Sequence, residues 1–167
     1  IVGLPFWLGA TVIGESNGAH TQRLHQARII LQRAGFKVQV ERRIVAWLKT
    51  QAALEAVLAG CLYRNDVDLR RLAAAPQELT LYREALAEAR QVLAAQGIRF
   101  ALGTAPPQAA RALLRLAGAL PGIGPLAQSR LEHAADEFRA LYEQLLAAAG
   151  DLPVPALRSL GAYFPAG

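Results

Sequence analysis

The sequence has no methionine and a single cysteine, Cys61, among its 167 residues. One thiol cannot close an internal disulfide or build a multi-thiolate metal site, so disulfide scaffolds, zinc fingers and iron–sulfur clusters are excluded. The same scarcity makes a reducing, cytoplasmic location the expectation. Charge is thin too, at 19% of residues against 53% hydrophobic, the balance of a chain that buries a core and not of a disordered tail. The apolar opening from Ile1 to Ile13 is shorter than the roughly 20 residues that span a bilayer and has no basic segment ahead of it. No membrane anchor or signal peptide is therefore expected. With no methionine and an opening on Ile1-Val2-Gly3-Leu4, the sequence reads as a fragment of a longer chain.

What is present begins with a net charge of +5. It is spread out, with arginines beside acids as in Tyr82-Arg83-Glu84 and Glu88-Ala89-Arg90. The densest basic pairs, Arg42-Arg43 and Arg70-Arg71, lack the interleaved aromatics on which bases stack. A solvated arginine-rich surface is expected, and no nucleic-acid partner.

Hydrophobic spacing predicts a mainly α chain that opens with a short β-α-β unit. Pro5–Gly14 carries Phe6, Trp7, Thr11, Val12 and Ile13 between Pro and Gly, which suits a strand. Leu24, Ala27, Ile30, Leu31 and Ala34 follow a 3.6-residue period from Thr21 until Gly35 closes the helix. Phe36–Glu41 alternates as a half-buried strand, and one or two strands cannot bury their own faces, so the sheet partners are expected ahead of Ile1. From Ile44 onward helices follow: Ile44–Tyr63, apolar nearly all round and expected to be buried, then Asp68–Ala74, Pro76 or Gln77 to Gln96 closed by Gly97, Pro107–Leu116, Gln128–Ala149 closed by Gly150, and Pro155–Leu160. Gly118–Gly124 reads as a loop. The expected division is residues 1–42, the β-α-β end of a truncated domain, and residues 43–167, an all-helical domain.

Residues with chemical potential are few. Lys49 is one of two lysines, with Val45, Ala52, Ala53 and Ala56 on its side of the helix. Such an amine is either the snorkelling end of an apolar stripe or a cation in a pocket, where desolvation would make it a usable proton donor. Lys37 falls on the polar side of its strand. Gly122-Ile123-Gly124-Pro125-Leu126-Ala127 matches the loose dinucleotide pattern, but a helical run precedes it where a strand is required. It reads as a connection between helices. His20, His25 and His133 have no second ligand at metal-binding spacing, Cys61 reads as a small buried hydrophobe, and Ser16 and Ser129 lie in no nucleophile pattern. Asp136-Glu137 suits solvation and the helix macrodipole.

The run Ile13-Gly14-Glu15-Ser16-Asn17-Gly18 before a helix, then Ala34-Gly35-Phe36-Lys37-Val38-Gln39-Val40, then Trp47-Leu48-Lys49-Thr50 opening a long helix, resembles the domain junction of the ketopantoate (2-dehydropantoate) 2-reductase family. The remainder is similar to that family's helical domain, a multi-helix bundle of the 6-phosphogluconate-dehydrogenase C-terminal type. The resemblance implies an NADPH-dependent reduction of a 2-keto acid, in pantothenate biosynthesis for the family at large. It implies that NADPH is held mainly by an N-terminal Rossmann domain lying outside this sequence, and that the helical domain binds substrate and forms a homodimer. It assigns proton donation to Lys49 and a substrate contact to Glu137, whose surroundings Asp136-Glu137-Phe138-Arg139 ahead of Pro153-Val154-Pro155 resemble the family's last long helix. Asparagines common in the family four and eight residues after the lysine are Ala53 and Val57 here, leaving Thr50 and Gln51 as the nearest polar substitutes. The alternative from another class is a catalytically inactive helical module for self-association or binding, in which Lys49 is structural.

Overall fold

A computed structural model of the chain describes residues 10–99, 112, 115 and 123–165, with the side chains of 123–127 left aside. The described residues are mainly helical, with seven α-helices and one short parallel sheet. They form two compact units, Ile1–Gln51 and Ala52–Gly167, whose division falls inside one helix.

In the first unit β1 (Ala10–Ile13) and β2 (Lys37–Val40) pair in parallel, Ala10 with Lys37 through to Ile13 with Val40. The connection is α1 (Gln22–Arg33). Thr21 opens it as the capping residue, its hydroxyl accepting the Leu24 N–H at 3.1 Å. Glu15 in turn accepts from the Thr21 hydroxyl at 2.5 Å and from Arg23 Nη2 at 2.5 Å. Gly35 closes α1 at φ +88°, a conformation that costs glycine little. The expected strand Pro5–Gly14 is thus described at Ala10–Ile13, and its earlier part lies outside the described residues.

α2 (Ile44–Arg64) starts in the first unit and ends in the second. Glu41 prepares its start by accepting the Arg43 N–H at 2.8 Å. Burial along α2 is uneven. Its first turns bury Ile44 and Thr50 but expose Val45 and Leu48 by 45% and 46%, whereas Ala53, Ala56, Val57, Ala59, Cys61 and Leu62 are buried. The expectation of burial throughout therefore holds only for the later turns, because hydrophobic pattern fixes which side is apolar but not where neighbours begin to cover it. By length and composition α2 also meets the requirement for a membrane span. Its most apolar window is 44% buried, and the core helix of a soluble protein passes the same test.

The second unit adds α3 (Leu69–Ala74), α4 (Pro76–Ala95), α5 (Ile123–His133), α6 (Ala135–Ala149), α7 (Pro155–Leu160) and a 3-10 turn, Gly161–Tyr163. Asp68 caps α3 by accepting the N–H groups of Arg70 and Arg71. Pro76 takes the first helical position of α4, where its missing N–H costs nothing. The centre of the unit is Val57, Cys61, Leu72, Val92, Val154, Leu157 and Leu160, all essentially inaccessible. Gly60 lets α2 approach α7 closely: a Cβ there would lie 3.0 Å from Leu160 Cβ and 3.1 Å from Phe164 Cε2. The Phe164 ring stacks on Tyr142 at 4.6 Å and meets Tyr63 edge-on at 5.4 Å, both favourable aromatic geometries.

Two expectations change here. The long helix predicted from Gln128 starts earlier, at Ile123, so the end of the predicted loop is helical. Pro125 is compatible with this because it falls in the first turn. The helix is also divided at Ala134, which leaves helical geometry at φ −119°. Just before it, His133 Nδ1 lies 2.7 Å from the Ser129 carbonyl oxygen. Of the helix expected over Pro107–Leu116 only residues 112 and 115 are described, both helical.

Candidate functional site

Lys49 lies in the second turn of α2, exposed on the same side as exposed Val45 and Leu48. The small residues further along that side, Ala53 and Ala56, are 2% and 0% exposed. Lys49 is thus an exposed cation with two exposed aliphatic side chains beside it. Thr50 is buried and donates its hydroxyl to the Ala46 carbonyl oxygen at 2.8 Å, so its polar group serves its own helix. Gln51 is half-buried and closes the first unit.

Glu137 belongs to the second unit, in the first turn of α6, and is exposed. Asp136 and Glu137 together face the positive end of the α6 dipole, which no side chain caps. Glu137 is also part of a cluster that sequence spacing does not reveal. Arg130 Nη2 donates to Glu55 Oε2 at 3.1 Å, and its guanidinium lies 5.5 Å over the Phe138 ring, within cation–π range. Burial pushes the Glu55 carboxyl up, Arg130 opposes that shift, and the negative charge of Glu137 adds to it, each in the sense expected for a carboxylate. Glu55 and Arg130 are 75 residues apart, and only packing of α2 on α5 brings them together.

The other single-residue readings can be placed as well. Cys61 is fully buried and its thiol is pushed up to about 12, chiefly by that burial, the state of an inert core hydrophobe. Ala53 and Val57, where the resembling family carries asparagines, are enclosed in the bundle core, so neither presents a polar group to a ligand. Among the described residues no three His, Cys, Asp or Glu side chains group to hold a metal ion.

The β1–α1 turn does not carry the glycine pattern of a dinucleotide loop: Gly14 and Gly18 are its only glycines, and neither has the second glycine two residues on that the pattern requires. In the β1–α1 turn the open sides of both glycines are taken by the chain itself: a Cβ on Gly14 would collide with the Glu41 carbonyl oxygen, and one on Gly18 would lie 2.9 Å from that of Arg42. The looser match at Gly122–Ala127 has all but its first residue inside α5, and Gly122 lies outside the described residues. Comparison with protein-family models, with curated proteins and with solved structures finds no match to this chain.

Proposed function

We propose that the chain is the substrate-binding and dimerisation part of an NADPH-dependent 2-keto-acid reductase resembling the ketopantoate reductases, its helices forming a bundle of the 6-phosphogluconate-dehydrogenase C-terminal type. The observation that carries this reading is Lys49: an ammonium beside exposed Val45 and Leu48, on a long helix that follows a β-α-β unit. The amine would donate a proton to the carbonyl oxygen of the keto acid during its reduction, and the aliphatic neighbours would shield that oxygen from water. Gln51 would serve as a polar contact to substrate. Thr50 would contribute by fixing the helix turn that holds Lys49.

NADPH would supply the hydride when bound, and its binding would rest on a domain other than these residues, as the resemblance implies. Ketopantoate itself is disfavoured as substrate, since Ala53 and Val57 lie in the core and cannot replace two amide donors. The reading is tested by comparing Lys49→Ala with Lys49→Arg in the full-length protein. Loss of keto-acid turnover in both variants supports a proton donor, since arginine keeps the charge but gives up no proton; turnover retained in Lys49→Arg or unchanged in both contradicts it.

A second reading, a catalytically inactive self-association module, is favoured by the same exposed pair, Val45 and Leu48, regarded as a contact surface. It predicts association without turnover.

A further inference from the structure

The first unit carries a groove of about 360 Å3 lined chiefly by His20, Thr21, Leu24, His25, Arg28 and Val40. Val40 ends β2 and His20 and Thr21 lead into α1, so the groove lies between the start of α1 and the carboxyl end of β2, and ligands of open α/β units bind outside the carboxyl ends of strands. His20, His25, Arg28 and Gln22 are among its lining residues, and no Asp or Glu is. The nearby acid in sequence, Glu15, is committed to Arg23 and to the Thr21 hydroxyl. The first turn of α1 holds no acidic residue that would oppose an anion there. Leu24 and Val40 give the groove an apolar wall. Its size is within the range of small-molecule sites and exceeds what a bare ion needs.

We propose that this groove binds a small molecule bearing an oxyanion group, with Arg28, His20 and His25 around the anionic oxygens and its apolar portion against Leu24 and Val40. Arginine and imidazolium donors form charge-assisted hydrogen bonds to carboxylate and phosphate alike. The site is separate from Lys49 and stands whether or not the reductase reading does.

The test is a titration of the chain with inorganic phosphate, with butyrate and with chloride at constant pH and ionic strength, following the ring-proton resonances of His20 and His25. The expected result is a saturable shift of both imidazoles with one shared dissociation constant in the phosphate or the butyrate arm and a flat chloride arm. Saturation by phosphate alone identifies a phosphate ester as the ligand class, and saturation by butyrate alone a carboxylate. Arg28→Ala is expected to weaken binding about tenfold, while resonances outside the groove stay in place. His25→Gln provides a second, milder change. The proposal is overturned if neither anion saturates, if chloride gives the same response, or if both variants bind as the parent does.

Discussion

At the scale of single residues, two carboxylates decide more than their sequence neighbourhood suggests. Glu88 lies on α4 and reaches α7, its two oxygens accepting the N–H groups of Ala156 at 3.0 Å and Leu157 at 2.7 Å. It caps a helix to which it does not belong, satisfying two donors that α7 leaves unpaired. Glu88→Ala should lower the stability of the second unit by about 1–3 kcal/mol, with Glu88→Gln losing less, as read from thermal unfolding. Glu55 acts through pH. Its carboxyl titrates higher in the folded chain than in the unfolded one, because burial outweighs the attraction of Arg130. The folded state therefore holds that proton more tightly, and stability declines as pH rises from the ordinary carboxylate value through the folded one. Melting midpoints of the parent should fall relative to those of Glu55→Gln as pH rises above the ordinary carboxylate value; parallel profiles would contradict this. Neither role is legible in the sequence, where Glu88 looks like a solvated acid beside Arg90 and Glu55 is 75 residues from its partner. Cys61, by contrast, is readable, since an apolar run on both sides leaves a thiol little choice but burial.

At the scale of elements, chain punctuation is the most legible signal. Gly35, Gly97 and Gly150 all take positive φ at the ends of helices, the positions where the sequence pattern stops them. The end of α2 uses other means: Asp66 and Val67 adopt φ of 52° and 59°, while the Val67 N–H donates to the Leu62 carbonyl oxygen at 2.7 Å. A valine in that region is strained, and no local preference announces it. The break at Ala134 is equally hidden, because an Ala-Ala step carries no breaker. The β1–α1 turn yields a prediction at this scale. Gly14 packs so closely on the exit of β2 that Gly14→Ala drives its Cβ into the Glu41 backbone oxygen and to 2.7 Å from Ile44 Cβ. Neither can yield without moving β2 or the start of α2. The variant should destabilise the first unit by roughly 2 kcal/mol or more. The loss is read as faster amide exchange across Ala10–Ile13 and Lys37–Val40, and protection equal to that of the parent would contradict the packing described.

At the scale of the whole molecule, helical periodicity and the Phe36–Glu41 alternation are enough to predict a mainly helical chain behind a β-α-β unit, and the structure has that composition. Depth of burial is not predictable in the same way. The side of α2 that carries Lys49 is identified equally by sequence and structure, but it is open to solvent around Lys49 and closed around Ala53 and Ala56, a difference set by residues far away in sequence. The exposed pair Val45 and Leu48 bears on association: Leu48→Glu should shift a dimer toward monomer in sedimentation equilibrium without altering helix content, and an unchanged mass distribution would remove this face from any interface. The central claim concerns Lys49, and the measurement that tests it most directly is kcat/KM for NADPH-dependent reduction of short 2-keto acids by the full-length protein and by its Lys49→Ala variant. Proton donation by this amine predicts a fall of about 100- to 10,000-fold with the fold retained. Turnover in the variant equal to that of the parent would contradict it.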